Sequence, residues 1–174
     1  MAWRSQKEFR HTKAEWSAVV DATFGPLTDQ RPSETFFPRL FDRFAKARAW
    51  RVYPDVLPTL ERLATRGLKL GIISNWDERL RPLLRELNLS KYFQTIVVSC
   101  EVGFPKPAHA IFRQAASELE VSSEVILHVG DSLEMDFQGA KGAGLQAVLL
   151  YRKEGMPAQN RISSLEELFS HKHI

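Results

Sequence analysis

Apolar positions along the chain change their rhythm near residue 50. Before it they recur at helical spacing. Ala14, Val19, Val20 and Phe24 outline one helix that stops at the Gly25-Pro26 break, and Phe36, Phe37, Leu40, Phe41 and Phe44 outline a second. Aromatic stripes of this kind read as packing faces rather than cofactor boxes. From Trp50 onward short apolar runs alternate with amphipathic stretches. The runs at 68–74, 95–99, 125–129 and 146–151 are nearly continuous in Ile, Val and Leu, as strands covered on both faces require. The spacing predicts helices over 78–87, 108–118 and 134–143 between them. Alternation of this sort gives an α/β fold, a parallel sheet wound with helices on both faces. The division is a helical lobe over 1–50 and an α/β core over 51–174.

Local signals sharpen these boundaries. Asp77 is placed to cap the helix at 78–87 by accepting from its opening amides. Gly67, Gly142 and Gly144 mark helix exits, where a left-handed residue costs glycine little. From Gln159 to the end the pattern is weak, and this stretch is expected to be loosely held.

Composition narrows the class without choosing a function. With 174 residues, 44% of them hydrophobic, the chain can bury one core with a small appendage. Its longest apolar run, Ala147 to Tyr151, is far short of a membrane span. The opening residues lack the apolar block of a secretory signal, so a cytoplasmic protein is expected, with no membrane partner. Cys100 is the only cysteine, which excludes an internal disulfide. The net charge of +3 is spread among Asp and Glu residues and gives no basic stripe, so nucleic acid is not an expected partner. Oligomeric state is left open.

The candidate chemistry lies after three of the apolar runs. Ser74-Asn75 follows the first, Lys106-Pro107 follows the second at some distance, and Gly130-Asp131 with Asp136 follows the third. In a parallel sheet the carboxyl ends of all strands share one edge, so these residues can converge. A hydroxyl and free amides can hold phosphoryl oxygens, a lysine can balance their charge, and two carboxylates can hold a hard cation. Each piece has a plainer reading: Ser74-Asn75 as a turn, Lys106 as a solvated lysine, and the two aspartates as a cap and a helix-end acid. Only the ordered trio points to phosphoryl chemistry. His128 reads as a packing residue, Cys100 as a buried thiol, and Trp76 as a pocket rim or a cover for the next helix.

In this order, Gly71-Ile72-Ile73-Ser74-Asn75-Trp76-Asp77, Gly103-Phe104-Pro105-Lys106-Pro107 and His128-Val129-Gly130-Asp131-Ser132 with Asp136 and Gly139-Ala140 resemble the haloacid dehalogenase-like (HAD) hydrolases. The similarity is to their helical-cap branch, which includes the domain-containing protein 3 group. It implies a Rossmann-like core, a partial helical cap over 1–50, and hydrolysis of phosphate esters with Mg²⁺. It also implies that Ser74 binds the phosphoryl group, Asn75 orients the loop, Lys106 balances charge, Asp131 ligates Mg²⁺ and Asp136 supports the metal site. A small phosphorylated molecule is the implied partner.

One family element has no counterpart. No Asp-x-Asp pair occurs in the sequence, whereas the family carries one on its first strand, as nucleophile and general acid. The family places that strand between those represented here by 68–73 and 125–129. Two edges would therefore face a gap, and a substitute strand, direct rejoining of the edges, or a fragment of a longer protein is expected. Two functions follow: a phosphatase-like hydrolase, truncated and inactive in this form, or a non-catalytic phosphate- and Mg²⁺-binding regulatory protein. A receiver domain is set aside because its acidic residues precede its hydroxyl and lysine. A dehalogenase is set aside because it needs no cation.

Overall fold

Strand β1 (Gly71–Ser74) pairs in parallel with β2 (Thr95–Val98), while β3 (Leu127–Gly130), β4 (Gln146–Leu150) and β5 (Arg161–Ile162) form a second parallel sheet. The structure is a computed structural model that describes residues 12–27, 34–153 and 160–170. Helices α1 (Lys13–Phe24) and α2 (Phe36–Phe44) precede the sheets, followed by α3 (Val56–Thr65). Next come α4 (Leu80–Glu86) before β2, α5 (Ser99–Val102) and α6 (His109–Leu119) after it, and α7 (Gly139–Gly142) before β4.

The two sheets belong to one body although their backbones are not bonded to each other. Helix α6 buries Ile111, Phe112, Ala115, Ala116 and Leu119, one apolar face at helical spacing. Ile111, Phe112 and Ala115 meet Val97 of β2 in one core cluster with Ala140 of α7, Leu145, and Ala147 of β4. A single core therefore spans both sheets.

The expected gap is present among the described residues. β1 has no strand on its side away from β2, and β3 none on its side away from β4. Burial records the same fact. All four residues of β3 are only half-buried, as are three of β1, whereas β2 has three buried residues of four. Neither a substitute strand nor rejoined edges occurs among the described residues.

Several expectations shift. The first and third strands begin later than the apolar runs. Gln94 bonds both polar groups of the Leu70 backbone ahead of β1, and residues 123–125 form a 3₁₀ turn that leaves Val125 70% exposed. Asp77 is not a simple cap: it accepts from the Arg79 amide at 3.1 Å but gives both oxygens to the Arg79 side chain. Gly67 and Gly144 have positive φ, and Gly142 does not. At Gly142 a Cβ would lie 2.5 Å from Nε2 at the tip of the exposed His109 side chain, which would have to swing aside.

Helix α3 lies outside the helices that the spacing predicts, and residues 160–170 are held where a loose end is expected. Within the described part of that stretch, β5 pairs with β4, and Ile162 and Leu168 are 2% and 3% exposed; Gln159 and residues 171–174 lie outside the described residues. The Ser164 hydroxyl and the Leu165 amide donate to Asp55 Oδ2 at 3.1 and 2.8 Å, and Arg152 donates to the same oxygen at 2.9 Å. Burial opposes the Asp55 charge, yet Arg152 and these donors hold its carboxyl below the usual range. No helix among the described residues is long and apolar enough to cross a membrane.

Candidate active site

Three separate loops are joined here by direct hydrogen bonds. Ser74 ends β1, and Asn75 follows it into the loop. The Asn75 Nδ2 donates to the Lys106 carbonyl at 2.9 Å, while the Lys106 amide donates to Asn75 Oδ1 at 2.6 Å. This reciprocal pair satisfies a carbonyl and an amide of one loop with a side chain of another, which fixes the loop spacing. Lys106 Nζ then reaches Asp136 Oδ1 at 2.5 Å. The loops meet through that chain of contacts.

Asp136 is the hub, and its surroundings define what it can do. It is 3% exposed. Its Oδ1 accepts from Lys106 and from His128 Nε2 at 3.0 Å, and Oδ2 accepts from the Ser132 amide at 3.0 Å. An ionised carboxylate only accepts, so His128 carries its hydrogen on Nε2. Burial opposes the charge, but His128, Lys106 and the Ser132 amide outweigh it and hold the carboxyl well below the usual carboxylate range. The packing explains Gly130 differently from a tight turn. A Cβ at 130 would sit 2.2 Å from Asp136 Cγ, so glycine lets the carboxylate lie against the strand end.

Asp136 enters on a wide π-helical turn, Leu133–Gln138, that the periodicity had suggested would be ordinary α-helix. Ser132 Oγ accepts from the Met135 amide at 3.1 Å and opens that turn. Such wide turns are frequent at functional sites. The turn is what carries Asp136 inward and leaves Asp131 outward.

Asp131 follows β3 directly, is exposed, and has no protein partner among the described residues. It can offer carboxylate oxygens to a cation. Asp136, the other residue expected at a metal, already has both oxygens engaged, and no group of three or more His, Cys, Asp or Glu fit to hold a metal occurs among the described residues. A hard cation such as Mg²⁺ is commonly held through one or two carboxylates, with waters and phosphate completing its shell. Asp131 fits that role, and Asp136 fits that of an anchor for Lys106.

His128 was expected to pack, and it does so edge-on to Phe112 at 5.2 Å, but it also bonds Asp136. The signal available in the sequence was its place two residues before Gly130. Arg79 was missed entirely. It grips fully buried Asp77 through Nε and Nη2 at 2.8 and 2.6 Å, donates Nη1 to the Phe41 carbonyl at 2.7 Å, and lies 3.3 Å over the Phe41 ring. It thereby fastens α2 to the loop after β1.

The thiol of Cys100 is pushed up to about 11 by burial and by Glu78, Glu101 and Asp77. It should react with iodoacetamide at pH 8 much more slowly than free cysteine, as measured by mass spectrometry. Labelling at the free-cysteine rate would contradict this environment.

A family model for haloacid dehalogenase-like hydrolases matches residues 6–144. The chain belongs to that family. It is 33% identical over 161 residues to haloacid dehalogenase-like hydrolase domain-containing protein 3 of Danio rerio, covering 88% of this chain and 66% of the relative. It is 38% identical over 106 residues to a glyceraldehyde 3-phosphate phosphatase of Methanopyrus kandleri, covering 58% of this chain and 43% of the relative. A HAD phosphatase from Thermococcus onnurineus superposes with a TM-score of 0.69 at 32% identity, covering 79% of this chain and 69% of that one. The chain therefore spans less than two thirds of the length of these curated relatives. The fold is the Rossmann-like one of the HAD structures.

Proposed function

We propose that this chain is the phosphate-handling part of a HAD-type hydrolase of phosphate monoesters, inactive as it stands because the nucleophile strand is not in its sequence. The observation that supports this most is the hydrogen-bonded chain from Asn75 through Lys106 to Asp136. It costs a buried ion pair to build, and it holds a lysine ammonium beside the Ser74 loop.

The roles follow from position. Ser74 donates its hydroxyl to a phosphoryl oxygen, and Lys106 balances phosphoryl charge while Asp136 and Asn75 keep it in place. Asp131 would help hold Mg²⁺, which when bound neutralises charge on the transferring group. The attacking and protonating carboxylates would come from a strand seated between β1 and β3 in a longer form of the protein.

The test compares this chain with a form extended upstream by an Asp-x-Asp strand. With Mg²⁺ and 4-nitrophenyl phosphate, this chain should show no turnover above an Asp131→Asn control, and the extended form should turn over. Inorganic phosphate should still bind this chain by calorimetry, and Ser74→Ala and Lys106→Met should each weaken binding by about tenfold or more, the loss of one charge-assisted hydrogen bond. If no upstream Asp-x-Asp strand exists in the reading frame and the chain binds phosphate without turnover, the regulatory reading replaces the catalytic one. The sequence favours that second reading only through its lack of an Asp-x-Asp pair.

A further inference from the structure

A cavity of about 380 Å³ lies between the first two helices and the loop after β1. Its wall is aromatic: Phe41 and Phe44 from α2, then Trp50, then Trp76 beside the site loop. Phe44 meets Trp50 edge-on at 5.7 Å, and Trp50 meets Trp76 at 5.0 Å, so three rings form a continuous surface. The Trp50 indole nitrogen is tied to the Phe44 carbonyl at 2.9 Å, which fixes that wall.

Only two of the described lining residues are polar. Asn75 spends its side chain on Lys106, so it contributes position more than recognition. Arg79 is paired with fully buried Asp77 and covered by Phe41, so its charge is already balanced. A ligand in this space therefore finds rings and a neutralised ion pair, with few free partners for hydroxyls. At the Asn75 end it reaches the residue bonded to Ser74 and Lys106.

Resting on the phosphate-handling reading above, we propose that this cavity takes the organic part of an aromatic or arylalkyl phosphate monoester and discriminates against polyhydroxylated ones. The size suits it: an apolar cavity of ~150 Å³ already holds benzene, and small-molecule pockets run from about 300 Å³ upward. The chemistry suits it also. A ring gains by leaving water for this wall, whereas each sugar hydroxyl buried without a partner would weaken binding by about fivefold or more. The Methanopyrus kandleri relative bears the name of a phosphatase acting on a triose phosphate, so the chain would differ from it in the substrate's organic part.

Tryptophan fluorescence and calorimetry on this chain with Mg²⁺ test the proposal, using phenyl phosphate, glycerol 1-phosphate, inorganic phosphate and benzyl alcohol. Phenyl phosphate is expected to bind about tenfold or more tightly than inorganic phosphate, and glycerol 1-phosphate no more tightly. Val20→Trp, which fills the half-buried cavity wall on α1, should remove the advantage while leaving inorganic phosphate affinity unchanged. Trp50→Ala should lower the advantage from the opposite side. Equal affinities for the two esters, or an advantage untouched by Val20→Trp, would overturn the proposal and leave the phosphate reading standing. If inorganic phosphate fails to bind while benzyl alcohol binds and Val20→Trp blocks it, the phosphate reading fails and the aryl cavity survives as a site. Concentration-dependent dimerisation abolished by Val20→Trp, without ester binding, would assign the cavity to a second copy and overturn the proposal.

Discussion

An Asp136→Ala substitution is expected to lower the unfolding free energy by about 3–5 kcal/mol, the usual cost of removing one partner from a buried ion pair. Lys106 Nζ would keep its largely covered position with no counter-charge, since its side chain is 13% exposed in the pair. His128 Nε2 and the Ser132 amide would lose their acceptor as well. Urea unfolding should show a lower midpoint with an unchanged slope. The sign of the pH dependence follows from the depressed carboxyl. Its contribution is fully present above the unfolded-state value, near ~4, and is lost only as pH falls through the lower folded-state value. The deficit of Asp136→Ala should therefore be constant from about pH 5 to 8 and shrink in stronger acid. A deficit below ~1 kcal/mol at neutral pH would mean that Asp136 is not the hub of these loops.

Gly130→Ala offers a related measurement with a different cause. The added methyl would overlap the Asp136 carboxylate, not a flexible side-chain tip, so strand or carboxylate must move. Overpacking of this kind costs about 1–3 kcal/mol. Combined with Asp136→Ala the penalty should shrink without vanishing, because Cγ and Oδ2 are gone while the Cβ of residue 136 still lies 2.4 Å from the added methyl; strict additivity would refute the contact with the carboxylate.

How much of this was legible in the sequence depends on the range of the interaction. β2 and β4 announced themselves because their buried residues lie in unbroken apolar runs, and β1 and β3 read the same way although each is only half-covered here. That Ser74, Asp131 and the Lys106 loop could converge was an expectation from the shared strand edge and needed no contact information. The bond between Asn75 and Lys106 spans 31 residues and leaves no local trace. The same holds for Asp55, whose partners Ser164 and Leu165 lie more than 100 residues away and secure a segment whose two-residue strand is too short to show a period. Gly130 was legible as necessary, though its reason is contact with Asp136 and not a turn. The π-helical turn shares its apolar spacing with an α-helix over so few residues that periodicity cannot separate them.

The largest change expected anywhere in this chain is the one produced by filling the gap between β1 and β3. On each flanking strand about half the backbone groups point away from the existing partner, on the order of ten groups in all. At a net gain of ~0.5–1.5 kcal/mol for each hydrogen bond, a seated strand adds an amount comparable with the ~5–15 kcal/mol by which whole domains are stable. Apolar burial adds to it, since Ile72, Ile73, Leu127 and Val129 are only half-covered now. Hydrogen exchange would show the difference locally. In this chain the outward amides of β1 and β3 should exchange close to the free rate, while the amides in the β1–β2 ladder, where three of the four β2 residues are buried, are strongly protected. In the upstream-extended form the β1 and β3 amides should slow by about a thousandfold or more, and the unfolding midpoint should rise. Equal protection of these strands in both forms would mean that no strand enters the gap, and the nucleophile would then have no route to the Ser74 loop.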